Sequence, residues 1–138
     1  KTSMINGCAY WTAHNVTFGR ACGLSDEQVD AVRDDTYADS ELFTDAEKAA
    51  ITWAKHLTKY SFKEHPEALV EMKKHYDGAQ IVEATLVSGY FNMWNRFVDS
   101  LEIDIEGDDQ MSLFTKSVVV EKSDFTEYMN SCWWAKNK

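Results

Sequence analysis

A thiol, a phenol, an indole and an imidazole crowd one short run near the start of the chain: Cys8, Tyr10, Trp11 and His14, within Asn6-Gly7-Cys8-Ala9-Tyr10-Trp11-Thr12-Ala13-His14. A thiolate can attack a peroxide and pass through a sulfenic acid. An imidazole can give or take a proton near neutral pH. Helical spacing decides which of these groups meet, because neighbours on a helix surface lie three or four residues apart. His14 stands at those spacings from Trp11 and Tyr10. From Cys8 it is about 9 Å away along the axis, at the usual rise per residue. On an unbroken helix it therefore serves a group at position 11, or a substrate lying between, rather than the thiol. The candidate catalytic residues are Cys8 and His14, with Tyr10 and Trp11 as candidate substrate-binding residues.

Each of these residues also has a plain structural reading. Within a continuous helix Cys8 is an inert buried thiol. If Gly7 interrupts the helix, Cys8 sits at an N-terminus, where the macrodipole lowers its pKa. His14 is either a hydrogen-bonded structural histidine or an acid/base group, and Trp11 taken alone is a core residue.

The elements that position this run are helical. Residues 1–22 read as one helix, with Cys8, Trp11, Asn15, Phe18 and Cys22 as a stripe and Gly23 as its terminator. Ser25 and Gln28 form a capping box for a short second helix that ends near Asp34-Asp35 and turns Val29, Val32 and Leu24 inward. A loop over 36–43 leads to a second box, Thr44 and Glu47, where Phe43 is placed to staple onto Lys48 or Ala49. That helix runs to about Lys59 and buries Ala50, Trp53, Ala54 and Leu57. Pro66 opens a short amphipathic helix with Ala68, Leu69, Met72 and Tyr76 inward. Asp77 caps the longest helix, about Gly78–Leu101. Its apolar residues cover more than one face, which requires either a central position or cover from a partner subunit. Five helical segments against one short strand-like run, 117–121, make the chain all-α. Residues 1–106 form the helical domain. Residues 107–138, with a possible last helix over 124–134 capped by Ser123, form a tail that packs on the domain or on a neighbouring subunit, and Cys132-Trp133-Trp134 fits such docking.

Composition narrows the function further. The chain has 138 residues, enough for one domain with a real core. A net charge of −9 argues against binding nucleic acid or an anionic membrane surface. The longest uncharged run, 84–95, is too short to span a bilayer as a helix. Three cysteines without framework spacing argue against a disulfide scaffold and for a reducing compartment, hence the cytoplasm. Cys8, His14, Cys22, His56, His65 and His75 lack metal-ligand spacing, and no Gly-rich phosphate loop occurs, so neither metal nor cofactor is expected. Arg96, on the long helix, is expected to close a salt bridge with Asp99. Glu83 is either a base facing the thiol or a surface residue. Lys1 opens the chain without a signal-peptide pattern, and an upstream segment is expected.

Four stretches in order resemble the carboxymuconolactone decarboxylase-like, or alkylhydroperoxidase D-like, family over about residues 4–106. The run 6–14 is similar to its Cys-x-Tyr-Cys motif followed by two or three residues and His. Residues 23–29 resemble the following cap, residues 43–50 the next helix start, and Ile81-Val82-Glu83 with Asn95-Arg96-Phe97 the long helix. The resemblance implies an all-α, alkylhydroperoxidase D-like fold that assembles into trimers or hexamers. It also implies a small-molecule substrate, and a dithiol pair assisted by the His and by a Glu upstream of the first Cys. The family's members include peroxidases, thiol oxidoreductases and a branch that decarboxylates a lactone acid.

The chain departs from the motif at position 11, where Trp stands for the second Cys. A disulfide needs Cα atoms within about 6 Å, and Cys22 would lie about 21 Å from Cys8 on a straight helix. Three readings follow. The first, placed narrowly ahead because Cys8 and His14 are both retained, is a one-cysteine, thiol-dependent peroxidase. The second is a cofactor-free lyase or isomerase of a small organic acid, with His14 as acid/base and the substrate stacked on Trp11. The third is a non-catalytic binding or assembly protein.

Overall fold

The computed structural model describes residues 1–107 together with Asp109, Gln110 and Glu127. The expected strand-like run 117–121, the last helix over 124–134 apart from Glu127, and Cys132 lie outside the described residues. Among the described residues six bounded α-helices follow in order: α1 (Thr2–Asn6), α2 (Ala9–Ala21), α3 (Asp26–Arg33), α4 (Asp45–Thr58), α5 (Glu67–His75) and α6 (Gly78–Ser100). A 3-10 turn, Tyr37–Asp39, lies between α3 and α4. The fold is all-α, and among the described residues there is no strand.

Capping chemistry sets most boundaries. Ser25 and Gln28, Thr44 and Glu47, and Asp77 and Gln80 each close reciprocal side-chain to backbone hydrogen bonds at the starts of α3, α4 and α6. Pro66 stands one position outside α5 rather than first within it.

The first expected helix is two helices. Gly7 adopts the left-handed conformation, φ 72°, and ends α1. Its N–H donates to Met4 O at 3.3 Å and the Cys8 N–H to Ser3 O at 3.1 Å, which satisfies the last carbonyls of α1. Cys8 then becomes the N-cap of α2, with its sulfur accepting from the Trp11 N–H at 3.5 Å. The expected buried stripe of this segment does not form. Cys8 is fully buried, but Phe18 is 47% exposed and Asn15 and Cys22 are exposed too. At the far end Gly23, φ 96°, terminates α2 as expected. Leu24, exposed rather than inward, lies against Gly19, where a Cβ would come within 2.6 Å of Leu24 Cδ1.

The core lies between α4, α5 and α6. Ala49, Trp53, Ala68 and Met72 are its buried members, with Leu57, Leu69, Tyr76 and Ile81 packed against them. Trp53 Nε1 donates to Thr85 Oγ1 at 2.9 Å and pins α4 to α6. A second cluster joins Ala31, Tyr37 and Phe43, with Ile51 and Val32 against it. Phe43, expected to staple onto Lys48 or Ala49, is buried within this cluster.

α1 docks on α6 through buried polar groups: Ser3 Oγ donates to Asn95 Oδ1 at 3.1 Å, and Thr2 and Ser88 share a hydrogen bond at 3.3 Å. The inward face of α6 is therefore narrow and partly polar, with Ser88, Asn95 and Val98 as its buried residues. Its opposite face carries Val82, Leu86, Tyr90, Met93, Phe97 and Leu101, each 48–66% exposed. Among the described residues nothing covers that face, so they do not enclose α6 on all sides.

Candidate active site

The break at Gly7 aims the first turns of α2 at the C-terminal end of α6 and the segment after it. Tyr10 OH donates to Glu106 Oε1 at 2.8 Å. His14 Nε2 lies 3.0 Å from the other oxygen of the same carboxylate. The second imidazole nitrogen, Nδ1, is 2.8 Å from the Tyr10 carbonyl oxygen, one helical turn back. The two rings stack, with centroids 4.3 Å apart and planes 21° from parallel. Both nitrogens of His14 thus face oxygen atoms, Nε2 that of Glu106 and Nδ1 that of the Tyr10 carbonyl. Glu106 is held below the usual carboxylate range by a backbone hydrogen bond first, then by Tyr10 OH and His14. The same carboxylate pushes the Tyr10 phenol up. The His14 side chain is 18% exposed and that of Glu106 38%, so protons can pass between solvent and the imidazole.

Cys8 occupies a different environment. It is the N-cap residue that the alternative with a break at Gly7 requires, yet its pKa moves in the direction opposite to the one expected. Burial pushes the thiol up, and the neighbouring Asp99 carboxylate adds to this. The amides of Trp11 and Tyr10 pull it down, and burial prevails. Trp11 packs its ring edge-on against Phe91 of α6 at 5.5 Å and lies 5.8 Å from His14, filling the space between α2 and α6. Its indole N–H is buried without an acceptor among the described residues.

All four residues singled out in the sequence thus share one end of α2, and they fall into two groups. Tyr10, Trp11 and His14 touch one another. Cys8 engages the backbone of α2 and Asp99. Glu106 is the member that sequence reasoning missed. It is far from His14 along the chain, and its run, Glu106-Gly107-Asp108-Asp109, reads only as the end of the helical body. Arg96 does not pair with Asp99 as expected: its Nη1 donates to Asn92 O at 2.6 Å and Asn92 Oδ1 at 3.2 Å. Glu83 is exposed on α6, in agreement with the surface alternative. Among the described residues no group of three His, Cys, Asp or Glu side chains is placed to hold a metal ion. No helix among them is long and apolar enough to cross a membrane.

An open groove of about 680 Å³ runs beside the site and includes Tyr10, Val98, Asp99 and Ile103 in its walls. A more enclosed, mostly apolar cavity of about 340 Å³ lies along a different face of α2, against Thr12, Asn15 and Val16.

The helix order and its likeness to a solved structure define the class: an all-α protein with the alkylhydroperoxidase D-like (AhpD-like) fold. The chain is similar to a crystal structure of a protein of unknown function from Agrobacterium tumefaciens, provisionally described as the antioxidant defence protein AhpD. The TM-score is 0.70 and the identity 27%, over 78% of this chain and 73% of that one. It is also 27% identical over 97 residues to the uncharacterised protein YdfG of Bacillus subtilis (strain 168), which covers 70% of this chain and 65% of YdfG. The chain therefore spans less than two thirds of the length of that relative. No family model matches it.

Proposed function

We propose that the protein is a divergent AhpD-like enzyme in which acid–base chemistry on a small organic acid, rather than a two-cysteine redox cycle, is carried by His14, Glu106 and Tyr10. The observation that carries this reading is the single carboxylate of Glu106, shared between Tyr10 OH and His14 Nε2. Such a carboxylate orients the imidazole, as a general acid/base needs. Trp11 supplies a flat apolar wall where a second sulfur would otherwise stand. The reaction class is proton transfer at carbon, a lyase or isomerase step without a cofactor.

The test is hydrogen exchange at carbon. A panel of enolisable and unsaturated small carboxylic acids is incubated with the full chain in D2O and followed by NMR. Exchange of one C–H is expected in the wild type, slowed at least about 100-fold in His14→Asn. No exchange with any acid, or exchange that persists in His14→Asn, overturns the reading.

The thiol peroxidase reading keeps one specific support: Cys8 at a helix N-cap, with an amide donor on its sulfur, in a fold similar to a protein described in terms of antioxidant defence. Dimedone trapping after alkyl hydroperoxide treatment tests it, through labelling at Cys8 that is lost in Cys8→Ser. Full burial and the Asp99 carboxylate weigh against it.

Self-association belongs to the same proposal. Six large apolar residues on the outer face of α6 recur at spacings of three and four, which suits a second copy of this helix. Sedimentation is expected to give an oligomer that Leu86→Glu dissociates. A monomeric wild type would sink the idea.

A further inference from the structure

The C-terminal end of α4, the following loop and α6 enclose a groove of about 400 Å³ that shares no residue with the site around His14. Three observations meet there. First, Arg96 on its rim makes no ion pair among the described residues, in a chain whose net charge is −9. Its guanidinium is nevertheless fixed, because Nη1 is tied to the backbone oxygen and Oδ1 of Asn92. A guanidinium held by one nitrogen keeps further N–H groups for a planar, two-oxygen acceptor. Second, the opposite wall is apolar and aromatic, formed by Leu57, Tyr60 and Phe62, with the two rings edge-to-face at 5.0 Å.

Third, Tyr60 stands where glycine is preferred. It follows the C-cap of α4 with φ 57°, while its own N–H and that of Ser61 donate back to Leu57 O and His56 O. A bulky residue in the left-handed region is strained, because its Cβ crowds the following carbonyl oxygen. Asp35 and Glu102 take the same conformation after α3 and α6, but both are acidic, and Asp35 is ion-paired with Lys1 and Lys55. Tyr60 is 70% exposed, and the edge-to-face contact with Phe62, itself part of the groove wall, is its packing return. Strain kept on a groove wall for so small a packing gain points to a ligand contact.

We propose that this groove binds a small aromatic carboxylate, its two oxygens on Arg96 and its ring against Tyr60 and Phe62. Binding here is independent of the acid–base reading. The test uses the full chain, with benzoate as probe and benzamide as its neutral counterpart, followed by NMR shifts and calorimetry. Saturable benzoate binding with groove residues shifted is expected below about 10 mM, with benzamide at least about tenfold weaker. Arg96→Gln is expected to weaken benzoate about tenfold or more while leaving benzamide unchanged. Gly89→Leu is expected to abolish binding by filling the groove, since a Cβ at Gly89 meets no atom within 4 Å. Tyr60→Gly is expected to raise the melting temperature and lower benzoate affinity together. His14→Asn leaves benzoate binding intact, which separates this site from the proposed reaction. No saturable binding, shifts confined to another surface, Arg96→Gln within twofold of wild type, or Arg96→Gln changing the oligomeric state instead would each overturn the proposal.

Discussion

Cys8 and His14 lie less than two helical turns apart, yet they live under opposite rules. The thiol caps α2 from a fully buried position, and the groups around it hold its proton on. The imidazole lies partly open to solvent against the Glu106 carboxylate, which is held below its ordinary range. A helix N-terminus is one electrostatic contribution among several. At Cys8 the amides pull the pKa down, but the loss of water around the sulfur outweighs them, with Asp99 acting in the same sense as burial. Retention of a Cys and a His at motif spacing therefore says little about which of them reacts. The neighbours contributed by the far end of α6 decide that.

The largest expected effect is in thiol reactivity. Native protein treated with iodoacetamide is expected to modify the exposed Cys22 at least about 100-fold faster than Cys8, read by peptide mass mapping. Comparable rates would place Cys8 within reach of solvent and return the peroxidase reading to the front. Next comes the alkaline limb of stability. Folding raises the Cys8 pKa above its ordinary 9.0, so the folded chain keeps a proton that the unfolded chain loses. Stability from this source is whole below that value and falls as pH rises through it, by up to about 1.4 kcal/mol per pH unit. Cys8→Ser keeps an N-cap oxygen and is expected to flatten that limb in urea melts between pH 8 and 10 (about two units) without the same loss. An unchanged slope would mean that the thiol is not desolvated.

How much of this contrast was legible beforehand follows from what kind of signal each part leaves. Ser25/Gln28, Thr44/Glu47 and Asp77 announce α3, α4 and α6 through local chemistry, and the stripe of Ala68, Leu69 and Met72 announces α5. The break at Gly7 was readable only as an alternative, because a lone glycine inside a helical pattern has two outcomes. The apolar girth of α6 was read from the sequence, yet what faces it is a property of packing and not of periodicity. The contacts made by Asp99 and Glu106 were out of reach. Both are long-range, and an acidic residue at a helix end carries no mark of the partner it will find. The expected Arg96–Asp99 pair failed for the same reason: Arg96 turns back to Asn92, and Asp99 lies close enough to Cys8 to raise its pKa.

A smaller effect tests the break that sets the two environments apart. Gly7→Ala meets no steric obstacle, since a Cβ there has no atom within 4 Å, so its cost is the left-handed backbone alone. A loss of about 1 kcal/mol in urea melts is expected. A neutral or stabilising substitution would indicate that α1 and α2 can run on as one helix, with Cys8 no longer at a cap.

The smallest effect is at the imidazole side and at low pH. Glu106 titrates below its ordinary 4.5 in the folded chain, so its contribution is present above that value and is lost as pH falls through the depressed one. Protonation removes the charge that faces His14 and weakens the acceptor for Tyr10, so the segment after α6 should loosen from α2 before the core opens. Trp11, 5.8 Å from His14, is placed to report this through its fluorescence. Tyr10→Phe deletes one of the hydrogen bonds that hold Glu106 down, so the carboxyl is expected to titrate higher by carbon-13 NMR, and the fluorescence step should move to higher pH with it. A Glu106 titration indifferent to both Tyr10→Phe and His14→Gln would break the relay into unrelated neighbours, and the contrast with Cys8 would then reduce to burial alone.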